Sequence, residues 1–375
     1  MKIERVETLL MGNGLVVRIH TDSGISGIGQ TACWGYPEAV ERIVERFSDY
    51  LVGQDPFRIE HHWQYLYRMS PFRGTALSGA ISAVDIALWD IKGKHFQVPV
   101  WELLGGNCRD KIRLHLMAGG STPETMLQTA KDAVAEGFTA LKFDPIVGEY
   151  QNMAVDRLVR TARDITAAAR EGGGPDLDLI IEVHRKLTPM TSKTLADALA
   201  EFNLFFYEDP IQIDSIMAQG EVARNVRVPV GNGERLTTIW EFKELLAYGG
   251  PQYVRPDVAL AGGISQCKKI AAIAESYHCA VVTHNFLGPL ITAASVHLDA
   301  SIPNFLTQEY TKGDEGPGYA VFKTEMKRQG GYIPLPQAPG IGVELDDSLI
   351  AETPYKPMNQ AQTLLREDGS VAYSV

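Results

Sequence analysis

The sequence is poor in cysteine, has no long apolar run and carries no dense block of basic residues. Its four cysteines, Cys33, Cys108, Cys267 and Cys279, lie far apart with no paired spacing. That excludes a disulfide framework or a zinc knuckle and points to the thiols of a reducing compartment. No stretch approaches the roughly 18 consecutive apolar residues of a transmembrane helix. The amino terminus, MKIERVETLL, alternates charged and apolar residues where a signal peptide would be continuously apolar, so a cytoplasmic location is expected. Lys and Arg number 35 against 46 Asp and Glu, a formal net charge of −11. That balance argues against nucleic acid or a membrane as partner and leaves a small-molecule substrate. An anionic substrate would need a local cation to reverse the field.

What is present is ample apolar material and two distinct textures. With 375 residues, 45% of them apolar, the chain can form two domains or one large barrel with additions. Over residues 1–110 an α+β unit is expected. Ile3–Leu10, Leu15–Thr21 and Ile25–Thr31 read as an antiparallel meander, the last two strands joined by the turn Asp22-Ser23-Gly24. Helical periodicity follows over Pro37–Val52, Arg58–Ser70 and Ala76–His95. From Lys111 the pattern changes to eight short apolar runs separated by helical segments: Ile112–Ala118, Ala140–Ile146, Leu179–Arg185, Phe205–Pro210, Val228–Glu234, Tyr253–Val258, Ala280–Phe286 and Phe305–Tyr310. Alternating strand and helix repeated eight times predicts a closed parallel barrel over 111–323. The Gly- and Pro-rich tail, 324–375, is expected to fold back and complete the first domain, with a strand-like piece at Gly340–Leu345.

A polar or ionisable residue ends nearly every barrel run: Lys142 and Asp144, Glu182 and His184, Glu208, Glu234, Asp257, His284 and Glu309. From Glu182 to Glu309 the intervals are 26, 26, 23, 27 and 25 residues, each one strand-plus-helix unit. Such residues emerge side by side at the barrel mouth, where barrel enzymes do their chemistry. Glu182, Glu208 and Glu234 on neighbouring strands would repel one another unless a cation sits among them, and an all-oxygen set suits Mg²⁺, or Mn²⁺. Salt bridging, such as Glu234 with Arg235, is the competing reading. Asp257 beside His284 would fix the imidazole tautomer and raise its basicity, as a general base requires. Strand alternation places His184 on the face of Glu182, as a general acid. Glu309, if protonated, could donate to a substrate carboxylate. His61, His62, His95, His278 and His297 read as core or surface residues, and His115 stays ambiguous.

These residues resemble the enolase superfamily, and within it the mandelate-racemase group of acid-sugar dehydratases. The likeness spans the chain. It is carried by Ser78-Gly79-Ala80-Ile81-Ser82-Ala83-Val84-Asp85, Leu104-Gly105-Gly106, Glu182-Val183-His184, Tyr207-Glu208-Asp209-Pro210, Gly233-Glu234-Arg235, Pro256-Asp257, Thr283-His284-Asn285 and Gln308-Glu309. It implies a modified TIM (β/α)7β barrel under an α+β amino-terminal cap, essential Mg²⁺ and, commonly, a homo-oligomer. Glu182, Glu208 and Glu234 would then be the metal ligands, and His284 with Asp257 the base at C2 of an aldonate. His184 would be the acid at the C3 hydroxyl, and Glu309 would face the enediolate. A hydro-lyase yielding a 2-keto-3-deoxy acid follows, with gluconate or galactonate as substrate. Lys142, Asp144, Trp34 and Arg73 are the expected substrate contacts. Two departures stand out. The first ligand is Glu where relatives usually have Asp, and Lys142-Phe143-Asp144 replaces a pair of lysines. The second departure speaks against a racemase or epimerase, the alternative within the superfamily. A metal-binding regulatory protein without turnover is the alternative from outside enzymology.

Overall fold

The computed structural model describes residues 1–33, 36–357 and 364–372. At the amino terminus β1 (Ile3–Met11), β2 (Gly14–Thr21) and β3 (Ser26–Gln30) form the antiparallel meander in the order β1-β2-β3. Three helices follow, α1 (Pro37–Leu51), α2 (Ile59–Arg68) and α3 (Thr75–Phe96). α1 is amphipathic: Val40, Val44, Phe47 and Leu51, at helical spacing, are buried against the sheet. α3 is apolar almost all round because β3 covers one side and the helix Gly263–Ser276 covers another.

The eight barrel strands are β4 (Lys111–Met117), β5 (Ala140–Phe143), β6 (Asp178–Glu182), β7 (Phe206–Glu208), β8 (Val230–Asn232), β9 (Tyr253–Val254), β10 (Ala280–Thr283) and β11 (Phe305–Tyr310). They pair in parallel in chain order, and β11 closes on β4. A helix separates each strand from the next, which gives (β/α)7β. Several helices begin on a hydroxyl cap: Thr122, Thr188, Ser215 and Thr238 each accept from a backbone N–H in the first turn. Such caps end the βα loops sharply and hold them at the mouth. The helix after β8 is α-helical over Ile239–Glu244 and continues as a π turn, Leu245–Gly249.

β5, β6 and β7 are shorter than the apolar runs that predicted them and end just before Asp144, at Glu182 and at Glu208, whereas β4 and β11 keep the expected length. Three short strands follow the barrel, the first beginning two residues before the expected tail. β12 (Phe322–Thr324) pairs with β14 (Val343–Leu345), and between them β13 (Tyr332–Pro334) lies antiparallel on the start of β4. Further along, Gly12 donates to Thr353 O and accepts from Lys356 N, so the tail runs along the amino-terminal sheet. Asp90 in α3 joins these parts: its carboxylate accepts from Ile28 N and Ile341 N, each at 3.0 Å, and pairs with Lys94 at 2.9 Å.

The cap is fastened to the barrel through α3. Ser78 Oγ donates to Leu260 O at 2.7 Å and to Thr237 O at 3.0 Å, and Ser82 Oγ accepts from Gly262 N at 2.9 Å. Asp85 Oδ2 accepts from Ser265 N at 3.1 Å. The approach is close enough to require glycine at Gly263, where φ is +80° and a Cβ would stand 2.3 Å from Asp85. Among the described residues no helix is long and apolar enough to cross a membrane.

Candidate metal-dependent active site

Parallel register brings the acids together. Glu182 and Glu208 are register partners at the ends of β6 and β7, and Glu234 follows β8 by two residues. Between them Gly233 turns the chain at φ +124°, with Phe242 packed where a side chain would be. Glu182, Glu208 and Glu234 are buried and present one oxygen each within 4.8 Å of one another. Four cations approach this group. Lys142 Nζ lies 3.1 Å from Glu182 Oε2, 3.2 Å from Glu208 Oε1 and 3.1 Å from Glu309 Oε2. Arg255 ion-pairs with Glu208 Oε1 and Glu309 Oε2. Arg185 and Arg235 reach Glu234 Oε1 at 2.9 and 3.3 Å. These contacts leave Glu208 Oε2 buried without a hydrogen-bond partner among the described residues.

The electrostatics of the trio favour an added cation. Burial drives the Glu208 carboxyl well above its ordinary range against the pull of Arg255, and Glu182 raises it further. Burial would also raise Glu182, yet His184 and Lys142 hold it at about 2. Charged oxygens this close, with a buried orphan among them, fit a hard divalent ion, and the donor set contains no sulfur or imidazole. Glu182, Glu208 and Glu234 are the residues that would hold it.

Two histidine–aspartate couples flank the trio. His284 Nδ1 is 2.7 Å from Asp257 Oδ2, the two residues forming a parallel bridge that continues the β9–β10 pairing. Its Nε2 is 3.4 Å from Glu234 Oε2. On the other side His184 Nδ1 is 2.8 Å from Asp144 Oδ2, and His184 N donates to Glu182 Oε1 at 2.8 Å. His184 follows β6 and His284 follows β10, four strands apart in a ring of eight, so they stand on opposite sides of the mouth. Burial opposes a charged His184 ring, but Glu182 and Asp144 raise its proton affinity above the ordinary histidine value.

Several expectations need correction. Strand alternation does not place His184: the strand ends at Glu182, and His184 and Arg185 both take left-handed backbone, φ 49° and 61°. Asp144 is the partner of His184 rather than a free contact for substrate. Lys142, expected at the substrate, is buried beneath the trio as a counter-ion; burial and Arg255 oppose its charge, but Glu208, Glu309 and Glu182 keep it protonated. Glu309 does not meet the condition set for it: burial would raise it, but Lys142 and Arg255 hold it ionised, well below the usual range. His115, its register partner on β4, is pushed down to about 3 by burial and by Arg255, and is neutral. Among the described residues Arg73 forms no ion pair with the trio. Its guanidinium covers the Tyr67 ring at 4.2 Å and donates to Ser70 O at 2.6 Å, on a cleft of about 850 Å³ between cap and barrel. Trp34 falls outside the described residues.

Sequence reasoning missed Arg255, Arg185, Asp209 and Lys186. Arg255 carried a signal: an arginine inside the apolar run Tyr253–Val258, two residues before Asp257 and hence on the same face. Arg185, paired with Asp209 and Glu234, carried none, because its direction is set by the left-handed turn after β6.

A capped parallel barrel with a buried acid trio at its strand ends and a histidine couple on either side defines a barrel enzyme of the enolase type. Comparison with known proteins narrows this. Residues 6–105 match the mandelate racemase / muconate lactonizing enzyme amino-terminal domain, and residues 125–349 match the enolase carboxy-terminal domain-like family. The chain belongs to the mandelate racemase / muconate lactonizing enzyme group of the enolase superfamily. It is similar to the D-galactonate dehydratase of Ralstonia pickettii, 36% identical over 381 residues covering 99% of this chain and 100% of that one. The D-galactonate dehydratase of Pectobacterium atrosepticum is 35% identical over 383 residues with the same coverage. Among solved structures, an enolase from Agrobacterium radiobacter, a candidate galactarate dehydratase with sodium and L-malate bound, superposes with TM-score 0.93 at 30% identity over all of both chains.

Proposed function

We propose that this chain is a Mg²⁺-dependent sugar-acid dehydratase, with D-galactonate the first substrate to test and gluconate the second. The reaction removes the C2 proton and the C3 hydroxyl of an aldonate as one molecule of water, and the resulting enol becomes a 2-keto-3-deoxy acid. The observation that carries this reading is the placement of two histidine–aspartate couples on opposite sides of one acid trio. Full-length relatives that are D-galactonate dehydratases support it. Glu182, Glu208 and Glu234 would hold the divalent ion, which when bound would supply positive charge to a substrate carboxylate that gains a second negative charge as the proton leaves.

The chain's own residues do the rest. Asp257 takes the Nδ1 proton side of His284, so Nε2 is the basic nitrogen and receives the C2 proton. Asp144 likewise binds Nδ1 of His184 and leaves Nε2 to deliver a proton to the C3 hydroxyl, which departs as water. Lys142 and Arg255 fix Glu182, Glu208 and Glu309 from below. Unpaired thiols at Cys33, Cys108, Cys267 and Cys279 suit a reducing, cytoplasmic setting.

The test is to incubate the purified chain with Mg²⁺ and a panel of aldonates and to assay for 2-keto-3-deoxy acid. Product from D-galactonate is expected. Epimerisation at C2, or no change in any sugar acid, would overturn the reading.

A further inference from the structure

We infer that Lys186 is a positioning residue for the elimination half of the reaction, acting through Asp144 on His184. The inference rests on the dehydratase reading above. The two histidine couples are built on one plan. Asp144 Oδ2 meets His184 Nδ1 at 2.8 Å, and Asp257 Oδ2 meets His284 Nδ1 at 2.7 Å. In each, the other carboxylate oxygen accepts the backbone N–H two residues on, from Ile146 and from Ala259, both at 2.8 Å. One difference separates them. Lys186 Nζ stands 2.5 Å from Asp144 Oδ2, the same oxygen that takes His184. Among the described residues no lysine or arginine ion-pairs with Asp257.

Lys186 is itself well fixed. It donates to Ile146 O at 3.4 Å, its ammonium lies 5.2 Å from the centre of the Tyr150 ring, and its side chain is only 10% exposed. His184, by contrast, stands beyond the end of β6 in left-handed backbone, where strand pairing no longer directs its ring. The direction of the ring is therefore set by Asp144, whose Oδ1 is held by Ile146 N and whose Oδ2, the oxygen that meets the ring, is held by Lys186. The ammonium also offsets the aspartate charge beside the place where an electron-rich hydroxyl departs. Asp257 lacks such a partner, in keeping with a couple whose task is to draw a proton in.

The experiment compares Lys186→Met and Lys186→Arg with the parent in deuterium oxide, using D-galactonate and Mg²⁺. Two quantities are read: 2-keto-3-deoxy product, and deuterium at C2 of recovered substrate. Lys186→Met is expected to lower kcat for dehydration about 10- to 100-fold, part of the roughly 10²–10⁴-fold that a general acid supplies. KM should move less than about threefold, while deuterium accumulates at C2 because proton removal by His284 continues and is reversed. Lys186→Arg should restore most of the dehydration. His184→Asn gives the limit in which exchange proceeds without elimination. If Lys186→Met fails to fold, Lys186→Gln is read in its place. Exchange and dehydration falling together, or a variant with the parent's partition, would overturn the role of Lys186 while leaving the dehydratase reading intact. A parent enzyme that neither exchanges nor dehydrates any sugar acid removes both.

Discussion

Arg255 and Glu208 form an ion pair from which solvent is wholly excluded, each side chain being 0% exposed. A buried pair of this kind contributes little net stability, because desolvation offsets attraction, but breaking it leaves an uncompensated charge in a dry interior. Arg255 also serves Glu309, so its loss leaves Glu208 and Glu309 to share the single ammonium of Lys142. Removal of Arg255 is therefore a severe change even though the residue lies below any substrate.

Arg255→Met is expected to cost about 3–5 kcal/mol in denaturant unfolding without added metal. Millimolar Mg²⁺ should return part of that loss, because an ion at the trio neutralises the same carboxylates. Equal destabilisation with and without Mg²⁺ would show that the metal and Arg255 do not share Glu208.

His284→Asn removes the proposed base but leaves every oxygen of the trio. Turnover and C2 exchange should both fall at least about a thousandfold, whereas Mg²⁺ binding by calorimetry should stay within about threefold of the parent. Loss of metal binding along with activity would mean that His284 holds the site together rather than taking the proton.

Asp85 offers a stability test remote from the chemistry. Burial pushes its carboxyl up to about 7, against the hydrogen bonds from Ser265. Folded protein thus retains a proton that the unfolded chain releases from about pH 4 upward, and stability falls as pH rises from there to about 7. Asp85→Asn keeps an acceptor for Ser265 N without the charge. It should unfold about 1–2 kcal/mol harder than the parent at pH 8, with the difference closing toward pH 4. A difference independent of pH would exclude the carboxyl as its source.

Much of this was legible in the sequence because it depends on period. Eight apolar runs separated by helices permit few arrangements other than a barrel, and residues about 25 apart that end successive runs must emerge together. The trio and the Asp257–His284 couple therefore follow from counting. What could not be read depends on turns and on burial. His184, Arg185 and Asp209 leave their strands with positive φ at non-glycine positions, which no pattern of polarity reports. Lys142 was expected at the substrate because it lies near the end of a barrel run, at one of the two lysine positions of the relatives; its burial is stabilised by three glutamates drawn from strands β6, β7 and β11. The strands β12 and β13 are too short, at three residues each, to show an alternation.

The diametric placement of His184 and His284 has a stereochemical consequence. With the roles proposed for His284 and His184, a sugar acid lying across the mouth would present one side of its C2–C3 bond to β10 and the other to β6. Hydrogen and hydroxyl would then be lost from opposite faces, an anti relationship. Among C2 and C3 epimers, only those that can set the two groups antiperiplanar while keeping the carboxylate over the trio would be substrates. Selectivity among sugars would in that case be written first in the handedness of two carbons, and only afterwards in the hydroxyls further along the chain.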